Sequence, residues 1–189
     1  MKRNNIIFIS IVILAVVGIL IYRYWNDNYT NEAIYRNVIT QKGYTLREIE
    51  KPIKFSSEIN INWIPNEVNK EKKLNVEISR VKNIPIILES IIRRENDIYF
   101  NFTSNPNFKY THGFFLSNEI INEDGTAATF TLSDSFSIKS GDMTIQVGQT
   151  GFGPGPKFSF GIENEDLNQI KDDFRLDFIG SILYEYSKK

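Results

Sequence analysis

"IKFSSEININWI", residues 53–64, decides how this chain must be read. Ile53, Phe55, Ile59, Ile61 and Trp63 are apolar, whereas Lys54, Ser56, Glu58, Asn60 and Asn62 between them are polar. A period of two lets one face be buried and the other wetted only if the backbone is extended. The stretch is therefore a half-buried strand, stopped by Pro65 and Asn66. The same alternation recurs downstream. Leu74, Val76 and Ile78 share a face, as do Ile98, Phe100 and Phe102, with "IILESII" and the turn "REND" between the two sets. "FFLSNEII" and "TAATFTL" flank Asp124–Gly125, and "FSIKS" and "MTIQV" flank Ser140–Gly141–Asp142. "KFSFGI" and "RLDFIGSILYEYS", the latter a strand pair or one long strand bent at Gly180, complete the series.

Short strands at roughly ten-residue spacing predict a mainly β fold, an antiparallel β-sandwich of immunoglobulin-like kind. Composition agrees, because aromatic residues make up 13% of the chain and isoleucine is frequent, and such side chains suit a pleated surface. There is no cysteine, which removes the usual disulfide, thiolate chemistry, cysteine metal sites and lipid attachment through sulfur. One or two short helices accompany the strands. In the first, Ile34, Val38 and Ile39 share a face, with Thr30 or Asn31 to cap it and Gly43 to end it. The second is expected in "ENEDLNQIKDDF", with acids in its first turn and Leu167, Ile170 and Phe174 on one face.

Upstream of all this lies "MKRNNIIFISIVILAVVGILIYRYW". From Ile6 to Tyr22 it is uncharged and nearly all apolar, a helix of roughly 25 Å at the short end of what crosses a bilayer. Tyr22, Tyr24 and Trp25 suit the headgroup layer, and Arg23 can snorkel between them. No A-x-A-like site follows the apolar run, which favours an uncleaved signal anchor over a cleaved secretory signal. Lys2 and Arg3 place the N-terminus in the cytoplasm and the rest outside, as a single-pass protein of the cell membrane. The expected organisation is an anchor over residues 1–25, a linker and short helix over 26–50, and an extracytoplasmic domain over 51–189. Outside the anchor 19 cations face 23 acids, a formal charge of −4, so nucleic acid is not an expected partner. The basic clusters "KEKK" at 70–73 and Arg93–Arg94 sit beside acids and read as solvated turns.

Chemistry-bearing patterns are few. Ser79-Arg80-Val81-Lys82 and the later Lys139-Ser140-Gly141 resemble the S-x-x-K and K-[ST]-G elements of penicillin-binding serine enzymes. Those enzymes need the serine at a helix start so that the lysine points back at it, whereas Ser79 continues the strand pattern of "LNVEIS". His112 is the one histidine; it has Glu119 or Asp124 as carboxylate partners to consider, no G-x-S-x-G elbow, and too few companions for a metal site. The acids from Glu163 to Asp173 match no calcium-loop pattern and suit a solvated helix start. No cofactor or metal is expected.

"VGQTGFGPGPKF", 147–158, invites comparison with a phosphate cradle. Its glycines fit neither nucleotide-binding spacing, a strand follows it, and Pro154 and Pro156 lack the amide donors a cradle needs. A stiff loop presenting Phe152 remains. The expectation is a non-enzymatic binding or sensing module, held in the bilayer through residues 6–22. It would contact an envelope protein or a wall glycan through loops 104–113 and 148–157, with Phe152, Phe108, Tyr110 and Phe114 as contacts. The alternatives are an envelope hydrolase or transpeptidase using Ser79 and Lys82, or a structural subunit of a membrane assembly joined through a free sheet edge.

Overall fold

The computed structural model describes residues 2–153 and 155–189, and side chains from Ile7 onward. Pro154, one of the two prolines invoked against a phosphate cradle, lies outside the described residues. Helix α1 (Lys2–Tyr29) contains, over Ile7–Tyr29, the one described helix long and apolar enough to cross a membrane. Its most apolar stretch has no residue buried by the rest of the chain, and only its last residue, Tyr29, packs on a ring of a later segment. At about 1.5 Å per residue these 23 residues reach roughly 35 Å, longer than the expected 6–22 span.

The expected linker does not exist as a loop. A single residue, Thr30, separates α1 from α2 (Asn31–Ile39). The Thr30 hydroxyl donates to the Asn26 carbonyl at 3.0 Å and accepts from the Ala33 amide at 3.2 Å, closing one helix and capping the next. Ala33, Ile34 and Val38 are buried on its inner face. β1 (Tyr44–Glu50) follows at once, a strand inside the segment read as linker and helix. Only Tyr44 at one end is buried and Leu46 half-buried, while Ile49 breaks the alternation on the exposed side, so periodicity did not reveal it.

β2 (Ile53–Ile59) is the stretch that opened the sequence reading, but it ends early. Asn60 turns the chain into a single 3-10 turn over Ile61–Trp63 by accepting from the Asn62 amide at 2.9 Å, while Asp173 accepts from the Ile61 amide. β3 (Lys70–Val81) and β4 (Ile84–Arg93) form a long hairpin with bulges, and "KEKK" is the exposed start of β3 rather than a turn. β5 (Asp97–Ser104) continues the same sheet. β6 (His112–Ser117) and β7 (Glu119–Ile121) divide "FFLSNEII" at Asn118, and β8 (Ala127–Thr129) pairs with β7. β9 (Phe136–Ser140) and β10 (Met143–Ile145) form a hairpin, as do β11 (Thr150–Phe152) and β12 (Phe158–Glu163). The second helix is only one turn, α3 (Asn164–Leu167); Phe174, expected on its face, begins β13 (Phe174–Gly180), and β14 (Ile182–Lys188) follows.

The chain is thus mainly β, and every strand pairing is antiparallel. The five-stranded sheet runs β11-β12-β5-β4-β3 and the four-stranded sheet β10-β9-β13-β2. Their apolar residues share one core, in which Phe158 of the first stacks on Phe178 of the second at 4.4 Å between ring centres. Phe102 and Phe100 stack in turn on Phe158 and Phe160, so aromatic pairs line the centre of this core. A three-stranded sheet, β1-β14-β6, carries a second core against α2, built from Ile34, Val38, Tyr44, Phe115, Ile182, Tyr184 and Tyr186. The chain passes from the four-stranded to the three-stranded sheet at Ser181, which sits at φ 55° between β13 and β14.

Candidate functional site

The two loops expected to bind a partner meet beside α2. Residues 105–110 form no strand, yet their side chains alternate: Pro106, Phe108 and Tyr110 are half-buried, while Asn105, Asn107 and Lys109 are exposed. Phe108 packs among Tyr35, Phe115 and Tyr186 at 5.3 to 5.7 Å. Tyr110 stacks on Tyr29 at the end of α1, 4.5 Å between centres, and Lys188 places its Nζ 3.5 Å above the Tyr110 ring. The Tyr186 hydroxyl accepts from the Lys109 amide at 2.8 Å and donates to the Lys109 carbonyl at 3.0 Å. The Tyr44 hydroxyl donates to the Tyr110 carbonyl at 2.9 Å. A loop without a ladder of its own is thus held by tyrosines from two strands, which supply the partners its backbone needs.

Loop 148–157 is held from the other side. The Asn118 amide donates to the Gly155 carbonyl at 3.0 Å, and the Asn118 side chain donates to the Lys157 carbonyl at 2.6 Å. Asn118 is fully buried, and its Oδ1 accepts from Ser181, also buried, at 2.6 Å. Gly155 has φ +68°, and a Cβ there would lie 3.2 Å from the Tyr35 hydroxyl, so the position suits only glycine. Burial, with the Glu119 carboxylate nearby, pushes the Tyr35 hydroxyl above its ordinary pKa and keeps it a neutral donor. Three of the loop's amides are already engaged: Gly148 donates to the Gly161 carbonyl, Gly153 to the Lys157 carbonyl and Gly155 to the Glu119 carboxylate, so these three are not free to cradle a bound anion.

Where the loops meet, a groove of about 220 Å³ lies between the first turn of α2 and the two loops. Tyr35, Phe108 and Pro156 form its apolar walls, and Glu32 and Asn105 its rim. Asn31 and Glu32, also at its edge, follow the apolar span by two and three residues.

The four expected contact residues do not form one surface. Phe108 and Tyr110 pack against the tyrosine-rich core beside α2. Phe114 and Phe152 pack against the main core, Phe152 with its ring centre 6.0 Å from Phe136. All four are half-buried. Ser79 lies in β3, Lys82 in the turn after it at φ 55°, and Lys139 in β9 of the other large sheet. The helix start that serine chemistry of this type needs is not there. His112 opens β6, its Nδ1 3.1 Å from the Thr111 hydroxyl, while Asp124 accepts from both the hydroxyl and the amide of Thr126 and is held below its ordinary pKa by them. Among the described residues no group of three or more acids and histidines is arranged to hold a metal ion.

Sequence reasoning missed Tyr35, Tyr44, Tyr184 and Tyr186, which carry the geometry of this end. The "YEY" alternation of 184–186 was a usable signal; Tyr35 and Tyr44 had none beyond their type. No protein-family pattern, no curated protein and no solved structure matches the chain. The functional reading therefore stands on this geometry.

Proposed function

We infer that this chain is a single-pass, membrane-anchored extracytoplasmic module of non-enzymatic type, which binds or senses a neighbouring membrane protein at the bilayer surface. In this reading α1 spans the membrane with Lys2 and Arg3 in the cytoplasm, and the two larger sheets are the layers of an immunoglobulin-like sandwich without a disulfide. The observation that carries it is the joint at Thr30. With one residue between an apolar span and α2, and with Tyr29 stacked on Tyr110, the domain is held rigidly at the membrane. Its groove opens two to three residues beyond the span. A partner there must itself lie at the bilayer surface, which favours a membrane protein over a distant wall glycan. Apolar walls with a thin polar rim suit a protein segment.

A photo-crosslinking residue at Asn105, on the groove rim, tests this in intact host membranes. Its adduct is expected to be an integral membrane protein, and a crosslinker at Met143, exposed on β10 outside the groove, should not give it. An adduct common to both positions, or none at Asn105, would sink the reading.

A further inference from the structure

We propose that the cavity on the outer side of the 105–110 loop binds an anionic, hydroxyl-rich group, borne by a saccharide carboxylate or a polyol phosphate. This cavity, about 310 Å³, lies between the β3–β4 turn at Asn83, the loop at Asn107 and Lys109, and the start of β6 from His112 to Phe114. It does not depend on the membrane-protein reading, because the groove beside α2 lies on the loop's opposite face and shares Pro106 with it.

Charge is the first argument. The chain outside the anchor has a formal charge of −4, yet no carboxylate lines this cavity. Another cavity is ringed by Glu95, Asp97, Glu163 and Glu165, and the one between β1 and the β7–β8 ribbon holds Glu48 and Glu123. Here the lining holds a lysine and no acid. Lys109 makes no ion pair among the described residues, which leaves its ammonium donors free for an anion. Asn83 and Asn107, both exposed, supply donors and acceptors for hydroxyl groups, and Phe114 supplies a half-buried apolar surface. A cation, amides and one ring together recognise an acidic polyol rather than an apolar ligand.

Preorganisation is the second. Lys109 is fixed through both its backbone groups by Tyr186, as described above. Tyr186 reaches it only because residue 113 is glycine: a Cβ there would stand 2.6 Å from the Tyr186 hydroxyl. Arg80 donates to the Asn83 carbonyl at 3.3 Å, and Thr111 contacts the His112 ring. A backbone held in this way has little freedom left to lose when a ligand arrives, so only the side chains of Lys109 and the two asparagines must be ordered.

The single histidine gives a direct readout, because isotope-labelled histidine produces one imidazole signal. The full chain in phosphatidylcholine nanodiscs would be titrated with trigalacturonate, with glycerol phosphate and with the neutral sugar maltotriose. At least one anion should shift the His112 signal saturably below about 10 mM, with maltotriose at least about tenfold weaker. A response to trigalacturonate alone identifies a saccharide carboxylate, and one to glycerol phosphate alone a polyol phosphate. Lys109→Gln and Asn107→Asp, both at exposed positions, should each weaken the response about tenfold with unchanged circular dichroism. No saturable shift with either anion, an equal response to maltotriose, or wild-type binding in both variants would overturn the proposal.

Discussion

Asn118 is the residue on which the two cores and the glycine loop converge. Its side chain and backbone bond to Ser181, Lys157, Gly155 and Phe130, and none of it reaches solvent. Replacing it by alanine strands the Ser181 hydroxyl and the Lys157 carbonyl, so Asn118→Ala should cost about 2–4 kcal/mol in urea unfolding. A loss under about 0.5 kcal/mol would show that water replaces the network. Asp177 makes a second residue-level prediction. It accepts from Ser56, its cross-strand neighbour, and from Arg175, and these bonds lower its pKa, the Ser56 bond most. A lowered folded pKa stabilises the fold above the ordinary carboxylate value of about 3.9, and that stability is lost as pH falls through the folded value. Asp177→Asn should therefore make the acid limb of a stability–pH curve shallower. An unchanged slope between about pH 4 and pH 2 would contradict the sign.

At the scale of elements, the joint between α1 and α2 is the feature on which the proposed function rests. Thr30→Ala removes a cap shared by both helices and should cost about 1 kcal/mol. Inserting Gly-Ser after Tyr29 should leave the domain's stability intact but abolish crosslinking from Asn105, because the groove no longer sits at a fixed height. Retained crosslinking would mean that the joint is incidental. The same elements mark what the sequence could reveal. β2 was legible because Ile53, Phe55 and Ile59 alternate with polar neighbours against a one-sided core. β1 was not, because six of its seven residues keep some exposure and its place is fixed by pairing with distant β14. Loop 104–113 was expected to present Phe108 and Tyr110 to a partner. Phe108 and Tyr110 turn inward onto tyrosines of other strands, and no local pattern announces those tertiary partners.

For the molecule as a whole, membrane orientation is the property most open to test. The chain contains no cysteine, so single cysteines report position cleanly. Lys189→Cys should react with a membrane-impermeant maleimide in intact cells, whereas Asn5→Cys should react only after lysis; the opposite pattern would invert the orientation. The antiparallel pairing of β1 with β14 has a further consequence, for biogenesis. Arg47 meets Glu185 across 138 positions of chain. At about 5–20 residues per second, translation separates those strands by roughly 7–30 s. Throughout that interval the apolar helix α1 has already been made, while Tyr44, Ile34 and Val38 still lack the sheet that buries them. In the proposed arrangement, the part of the molecule nearest the membrane is thus the last able to close, and until β14 emerges its apolar face would lie exposed beside the lipid.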